Sequence, residues 1–249
     1  LMSSVMTGIG MAVTALTSRG IEASRQNFGT KVSMRDAVAP RQLIYGQTRV
    51  GGTIVHIQTS GTDRHKLSLI CVVAGHVVED FTAIHINNQE IAKGSLGSAT
   101  LSGETVYSVT SNGFVNADNE NDFGSGVLIR FTFHDGTQTA HDGLARASLG
   151  TTAIPNTHKY INCAYFYVEL VYDHEKLAQI PRLSFQVKGK KCYDPRTDTT
   201  VWTDNPALIV RDFLSDQTYG LKCLDSEIND ATSGGGFAAA ANVCDQNIT

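Results

Sequence analysis

YINCAYFYVELVYD, from Tyr160 to Asp173, carries the strongest strand signal in this chain. The segment is filled with β-branched and aromatic side chains. These side chains form two alternating sets, as expected when successive residues of a strand point to opposite faces. One set is Ile161, Cys163, Tyr165 and Tyr167, and the other is Asn162, Ala164, Phe166 and Val168. The pattern predicts a strand over the whole segment.

Three segments that precede it also have strand patterns. RQLIYGQTRVGGTIVHIQTS (41–60) mixes β-branched and aromatic residues, and Gly51-Gly52 predicts a bulge or a sharp bend within it. KLSLICVVAGH (66–76) is almost continuously apolar, which is typical of a strand covered on both faces. FTAIHINNQEI (81–91) alternates, and its Asn87-Asn88 pair predicts a hairpin turn.

Residues 93–160 have weaker patterns. The part from 93 to 125 is rich in Gly, Ser, Asn and acidic residues, and only ETVYSVT (104–110) within it resembles a strand. We therefore expect an insertion or loops across 93–160. The exceptions are a strand in GVLIRFTFHDG (126–136) and one or two helical turns in TAHDGLARASLG (139–150), which Gly150 would end.

A dense cluster of reactive side chains occupies KGKKCYDPRTDTTVWTDNPALIVRDF, from Lys188 to Phe213. Its local chemistry favours a structural role over an active site. Asp194-Pro195 predicts a turn between two strands. Asp204 or Asn205 suits a helix N-cap, and Pro206 suits the first helical position because that residue needs no N–H group. Apolar residues then follow at helical spacing, and Gly220 is expected to end the helix.

These patterns predict an α+β protein that is mainly β. We expect an N-terminal arm at 1–40, with a small-residue helix and a polar linker, followed by a β-rich domain at 41–200. A helical segment at 201–249 would then lead into a further module. Within that segment, Asp225 or Ser226 is a candidate cap and GFAAAANVCDQ (236–246) a second helix. Because the chain begins with Leu1 rather than Met, we expect it to be a segment of a longer polypeptide.

The composition is that of a globular protein, with 249 residues, 41% of them hydrophobic, and a formal net charge of −4. This charge argues against a dedicated nucleic-acid binder. Residues 1–66 nevertheless carry eight Lys or Arg against three Asp or Glu. The basic arm is therefore either solvated or directed at an acidic partner. No stretch reaches the roughly 18 apolar residues that a membrane helix needs.

Catalytic motifs are missing from the sequence. It contains no GxSxG, GxxxxGK[ST], GxGxxG or HExxH pattern. The five cysteines are odd in number and lack CxxC spacing, which argues for reduced thiols rather than zinc ligands. We therefore predict no catalytic, cofactor-binding or metal-binding residues.

Two segments could still hold an ion. HDGTQTAHDG (His134–Gly143) repeats His-Asp-Gly, and two His with two Asp could bind a metal, although an ordinary turn after a strand is the interpretation that we favour. DNENDFGSG (Asp118–Gly126) is acidic enough for calcium but lacks the EF-hand ligand pattern. A solvated loop is favoured there.

Four segments resemble the central tail-tip protein, or tail hub protein, of lambda-like long-tailed phages. They are LIYGQTRVGG (43–52), LSLICVVAGHVVEDFTAIHINNQEI (67–91), VKGKKCYDPRTDTTVWTDNPALIVRDFLSDQTYGL (187–221) and the closing FAAAANVCDQ (237–246). They follow the family's order and frame residues 43–246. Residues 1–40 and 93–160 match only loosely.

The resemblance implies a virion structural protein without enzymatic activity, cofactor or small-molecule substrate. Three copies would cap the tail tube, forming the hub of the tail tip or baseplate. The implied partners are the other copies in a homotrimer, the distal tail protein ring, the tape-measure protein and other tail-tip or fibre proteins, with phage DNA passing through the channel. Such a protein is assembled in the host cytoplasm and takes part in host attachment and genome ejection.

Two alternatives belong to other functional classes. A tail-associated cell-wall hydrolase would need paired carboxylates or a Cys/His site within 93–160. A module that binds host-surface glycans would favour exposed aromatic side chains. Trp202 stands just ahead of a capped helix, so we expect it to be packed rather than available to a glycan.

Overall fold

The computed structural model describes residues 39–110, 113–121, 123–124 and 126–246. They all belong to one compact unit, which spans Lys31–Thr249. The small-residue helix predicted in the N-terminal arm lies outside the described residues, as does almost all of the linker.

Twelve strands and three α-helices form the described part of the chain. The strands are β1 (Gln47–Val50), β2 (Thr53–Ser60), β3 (Lys66–Ala74), β4 (Asp80–Ile86), β5 (Gln89–Ala92), β6 (Gly97–Leu101), β7 (Glu104–Ser108), β8 (Ile129–His134), β9 (Ala164–Val171), β10 (Leu183–Lys188), β11 (Lys191–Asp194) and β12 (Thr199–Trp202). The helices are α1 (Gly143–Leu149), α2 (Pro206–Ser215) and α3 (Phe237–Cys244). The predicted mainly β, α+β fold is confirmed.

The larger sheet has six antiparallel strands in the order β2-β3-β9-β8-β7-β6. All eight residues of β9 are buried. One face of the sheet packs against the smaller sheet, whereas on the other face Tyr165 and Tyr167 pack with Leu144 and Ala145 of α1. This double coverage explains why β3 is almost continuously apolar and why both alternating sets of β9 contain large apolar or aromatic side chains.

The smaller sheet, in the order β1-β10-β4-β5, faces the larger one across an aromatic core. The rings of Phe166 and Phe185 lie 3.9 Å apart between centroids, and those of Phe81 and Phe133 lie 5.2 Å apart. Fully burying a side chain of this size contributes roughly 1.5–3 kcal/mol. These rings are therefore a main source of the cohesion between the two sheets.

Gly51-Gly52 joins the two sheets, because β1 belongs to the smaller sheet and β2 to the larger one. A Cβ atom added at Gly52 would lie 3.1 Å from the carbonyl oxygen of Val72. The predicted sharp bend is thus confirmed, and close backbone approach is the reason for a glycine at 52. The predicted hairpin turn is also confirmed, since Asn87 and Asn88 both have positive φ between β4 and β5.

The hairpin of β11 and β12 carries α2 and α3. Cys192, Leu208 and Ala241 form the apolar contact between the three parts. The predicted turn after Asp194 is confirmed, and so is the helix that starts at Pro206. Asn205, one of the two candidate caps, accepts hydrogen bonds from the N–H groups of Ala207 and Leu208.

The strand candidate ETVYSVT (104–110) is confirmed as β7, whereas β6 takes the place of part of the loops expected across 93–125. Gly97–Leu101 and Glu104–Ser108 form a hairpin at the edge of the larger sheet, joined by Ser102-Gly103 with φ of 53° and 84°. All five residues of β6 are at least partly exposed. An edge strand exposed in this way needs no apolar alternation, which is why the sequence does not indicate β6.

Two predicted element boundaries are wrong. β9 begins at Ala164 rather than Tyr160, because Tyr160 and Asn162 adopt φ of 49° and 56° in a turn. α2 ends at Ser215 rather than at Gly220, because the side chain of Asp216 accepts hydrogen bonds from the N–H groups that follow it. The predicted cap at Asp225 starts only a single 3₁₀ turn, Asp225–Glu227.

Candidate functional site

The reactive side chains of the Lys188–Phe213 segment bind one another. The ammonium group of Lys190 lies 2.6 Å from carboxylate oxygens of both Asp212 and Asp216, and the Tyr45 hydroxyl donates to Asp212. Burial alone would lower the pKa of Lys190, but its bonds to Asp212 and Asp216 hold that pKa above its ordinary value. The ammonium group therefore stays charged and holds α2 on the hairpin.

Arginines of the same region have a similar role. Arg196 bonds its neighbour Asp194 and reaches Asp245 beyond α3 at 2.7 Å. Arg211 makes two hydrogen bonds with Asp230, at 2.8 and 2.6 Å. A guanidinium fork suits such paired contacts with a carboxylate. The charged side chains that made this region resemble an active site thus connect the hairpin, the helices and the loop between them.

Trp202, which a glycan-binding site would need to expose, is only partly exposed. Its indole N–H donates to the carbonyl oxygen of Gly46 at 3.2 Å, and the Lys188 ammonium group lies 4.5 Å from the ring centroid. The side chain is thus packed against the strand that follows Gly46.

The acidic segment Asp118–Gly126 is organised by amide side chains. Asn116 and Asn119 each donate to the same oxygen of Asp173 at 2.8 Å. Burial would raise the pKa of Asp173, but these two donors and the N–H groups of Glu175 and Lys176 lower it to about 2. The carboxylate that these side chains bind is therefore Asp173, which lies outside the acidic segment, and the loop is held to it.

The two His-Asp-Gly repeats meet a third residue that the sequence does not single out. His134 Nε2 lies 2.7 Å from Asp142 Oδ2, and Glu104 Oε1 accepts from the N–H group of Gly143 at 2.9 Å. One ligand atom from each of Glu104, His134 and Asp142 lies within 4.8 Å of the others. Asp135 instead accepts hydrogen bonds from Thr137 within the turn, so only one residue of each repeat joins the cluster.

Strand register brings this cluster together. His134 lies directly opposite Tyr165 on β9. Tyr107 of β7 lies opposite Phe131 of β8, and continuing that antiparallel register by three residues places Glu104 opposite His134. Asp142 reaches the same place as the N-cap of α1, where it accepts from the N–H group of Ala145. No signal in the sequence links Glu104 to His134, because the pairing of β7 with β8 depends on the whole sheet.

Glu104 and Asp142 also supply the pair of carboxylates within 93–160 that a hydrolase would need. Asp142, however, is only 1% exposed and already accepts from Thr132, His134 and Ala145. A polysaccharide cannot reach a carboxylate buried and bonded in this way. The pair therefore does not form the two-carboxylate arrangement of a glycosidase.

A cleft of about 530 Å³ is lined by Arg41, His76, Asn162, Lys190, Lys191 and Tyr219, among others. Lys190 is paired within it as described, and Lys191 lies 2.9 Å from Glu79. His76 accepts from the N–H group of Ile44 through Nε2, and burial lowers its pKa. These three polar side chains of the cleft are thus engaged in holding the fold.

β2 forms the longer of the two edges of the larger sheet in the described chain. It has eight residues and pairs only with β3 among the described strands. Val55 and Ile57 are 48% and 40% exposed, and the backbone groups on the outer side of the strand have no partner strand in the described chain. Such an edge is a template for pairing with a strand of another chain.

No helix in the described part of the chain is long and apolar enough to span a membrane.

Comparison with known proteins gives little. No protein-family model and no curated protein matches this chain. Among solved structures, a chain of the virion of a native gene transfer agent (GTA) particle is similar, with a TM-score of 0.46 and 12% identity. The match covers 86% of this chain but 49% of that chain, so this chain spans about half the length of its structural neighbour. Similarity at this level assigns neither the fold nor the function.

Proposed function

We propose that this chain is a structural component of a phage virion and, within it, the hub of the tail tip. Three copies would cap the tail tube and contact the distal tail protein ring, the tape-measure protein and other tail-tip or fibre proteins. The hub would take part in host attachment and genome ejection, with phage DNA passing through the channel. The proposal rests on the four segments that resemble the tail hub family.

The observation that carries the proposal is that those four segments, spread over 43–246, interlock in space. Gly189 and Lys190 donate backbone hydrogen bonds to Gly46 and Ile44, both at 2.8 Å. The N–H group of Glu79 donates to the carbonyl of Lys188 at 2.9 Å, and Asn205 bonds Ala241 of α3. The residues that carry the resemblance therefore build one scaffold, which is what a structural protein requires of them.

The exposed edge of β2 supports an assembly role. A rotationally symmetric trimer needs heterologous contacts, in which one surface of a subunit meets a different surface of the next. An unpaired strand that carries exposed Val55 and Ile57 offers backbone groups and apolar area for such a contact. We assign β2 to the interface between subunits or to the interface with a neighbouring tail protein.

The mass of the purified chain in solution tests the proposal. Size-exclusion chromatography with light scattering should give three times the chain mass of 26.8 kDa. A monomer at every concentration, up to the solubility limit, would contradict the trimeric hub. Incubation with peptidoglycan and with host glycans covers the two alternatives, because release of soluble fragments or saturable glycan binding would favour them instead.

A further inference from the structure

We propose that Glu104, His134 and Asp142 form a binding site for a divalent transition-metal ion, with Zn²⁺ as the first candidate. The site is independent of the proposed virion role. It would clamp the loop 135–142 and α1 onto the larger sheet.

The three side chains have the chemistry of such a site. One imidazole with two carboxylates suits Zn²⁺ and similar ions, which accept both nitrogen and oxygen ligands. Calcium and magnesium prefer oxygen ligands alone and take six or more of them. The presence of His134 among so few ligands therefore favours the transition metal.

Only small adjustments would admit an ion. Zn²⁺ bonds of about 2.0–2.2 Å hold tetrahedral ligand atoms roughly 3.4 Å apart. The ligand atoms of the cluster lie within 4.8 Å of one another, and the closest pair, His134 Nε2 and Asp142 Oδ2 at 2.7 Å, would separate slightly. Glu104 is only partly buried, so its side chain has room to rotate toward the other two. The fourth position is left for water.

Neighbouring groups already orient the ligands. The Thr132 hydroxyl and the Ala145 N–H group donate to Asp142, and the Gly143 N–H group donates to Glu104. Hydrogen bonds of this kind fix ligand orientation and are part of most metal sites. These donors would keep both carboxylates in place when the ion enters.

A buried hydroxyl without a partner points to a missing ligand. Tyr165 is fully buried, and its hydroxyl has no hydrogen-bond partner among the described residues. Its ring stacks on the His134 imidazole, with 4.4 Å between centroids. A water molecule bound to the metal would supply the hydrogen-bond partner that the hydroxyl lacks, because its O–H group can donate to the Tyr165 oxygen.

Titration of the metal-free 249-residue chain with ZnCl₂ by calorimetry tests the proposal. We expect one high-affinity Zn²⁺ per chain, no binding of Mg²⁺ or Ca²⁺ at the same site, and a higher melting temperature with Zn²⁺. Glu104→Gln retains an acceptor for Gly143 but loses the charge, so it should weaken binding at least tenfold. Tyr165→Phe should weaken it less, because the hydroxyl contacts the water rather than the ion.

The matched control is His174→Gln. His174 and its neighbour Glu175 also form a His–carboxylate pair, but their side chains are 77% and 60% exposed. This variant should bind Zn²⁺ as the unmodified chain does. The proposal is overturned if the unmodified chain binds no Zn²⁺, or if binding persists in Glu104→Gln and is lost in His174→Gln. Circular dichroism of each variant verifies its fold, and the result on the unmodified chain does not depend on any variant.

Discussion

Asn205 joins two helices through one side chain: its amide nitrogen donates to the carbonyl oxygen of Ala241, 36 residues later, at 2.9 Å. Its amide oxygen accepts from the N–H groups of Ala207 and Leu208 at the start of α2. The residue is 4% exposed, so water cannot replace these bonds. The start of α2 and the position of α3 therefore depend on the same residue.

Replacing Asn205 with Ala should lower the free energy of unfolding by about 1.5–3 kcal/mol. Loss of a helix N-cap costs about 0.5–2 kcal/mol, and loss of the buried donor to Ala241 adds roughly 1 kcal/mol. Chemical denaturation monitored by circular dichroism measures the change. Asn205→Ser keeps a capping oxygen but not the amide, so its loss should be smaller. Equal stability of both variants and the unmodified chain would disprove the dual role.

The capping of α2 by Asn205 could be predicted from the sequence, and the contact of Asn205 with Ala241 could not. Asn205 before Pro206 is a local signal for a helix start, because capping involves only residues two or three positions away. The contact with Ala241 depends on how α3 packs, which local spacing does not encode. Glu104 in the metal cluster is the same case, since only the register of β7 and β8 brings it to His134.

Strands were predicted where burial is greatest. β3 and β9 are inner strands of the larger sheet, and their many apolar residues predict them as strands. β6 lies at its edge and is exposed along its whole length, so the composition indicates a loop there. The sequence also does not predict which sheet each strand joins. β1 and β2 are neighbours in the chain, yet they separate at Gly51-Gly52 into different sheets.

A buried ion pair within the larger sheet gives a second prediction. Arg130 donates to Glu169, which is 1% exposed and also accepts from the Tyr167 hydroxyl at 2.8 Å. Glu169→Gln keeps the shape but leaves the Arg130 charge without its partner, so we expect a loss of about 3–5 kcal/mol in the free energy of unfolding. Urea denaturation provides the measurement.

The double variant Arg130→Met with Glu169→Leu is the control for this pair. Replacing both charges with apolar side chains of similar size is often neutral or stabilising. We expect it to recover most of the stability lost in Glu169→Gln. A double variant that is less stable than the single variant would show that the packing of these side chains, rather than the unpaired charge, dominates.

The lowered pKa of Asp173 predicts that the free energy of unfolding falls in acid. Its pKa in the folded chain is about 2, below the value of about 3.9 for an unfolded aspartate. The carboxylate therefore stabilises the fold fully above about pH 4, and this contribution is lost as the pH falls toward 2. Asp173→Asn should be less stable near neutral pH and should show a shallower loss of stability between pH 4 and pH 2. Thermal melts across that range measure both effects, and parallel curves would contradict the assignment.

Gly189 is predicted to tolerate no side chain. A Cβ atom at this position would lie 2.2 Å from the carbonyl oxygen of Ile44, where the chain before β1 meets β10. Gly189→Ala should therefore push these segments apart and cost about 1–3 kcal/mol, the usual range for overpacking. Gly94→Ala is the control, because nothing lies within 4 Å of its added Cβ. A melting temperature of Gly189→Ala equal to that of Gly94→Ala would show that the backbone can move aside without cost.

The exposed edge of β2 gives the last prediction. Val55 and Ile57 are 48% and 40% exposed, and a charged side chain there should block pairing with another subunit while leaving the core of the monomer intact. In the double variant Val55→Lys with Ile57→Lys we expect light scattering to show monomers instead of the assembled species. Any fall in melting temperature should come from the lost subunit contact, because both side chains lie outside the core of the monomer. Val201→Lys is the matched control: Val201 is 47% exposed, but it lies on the separate hairpin of β11 and β12. If Val201→Lys dissociates the assembly and the β2 variant does not, the interface lies on the hairpin and β2 is free for a different neighbour.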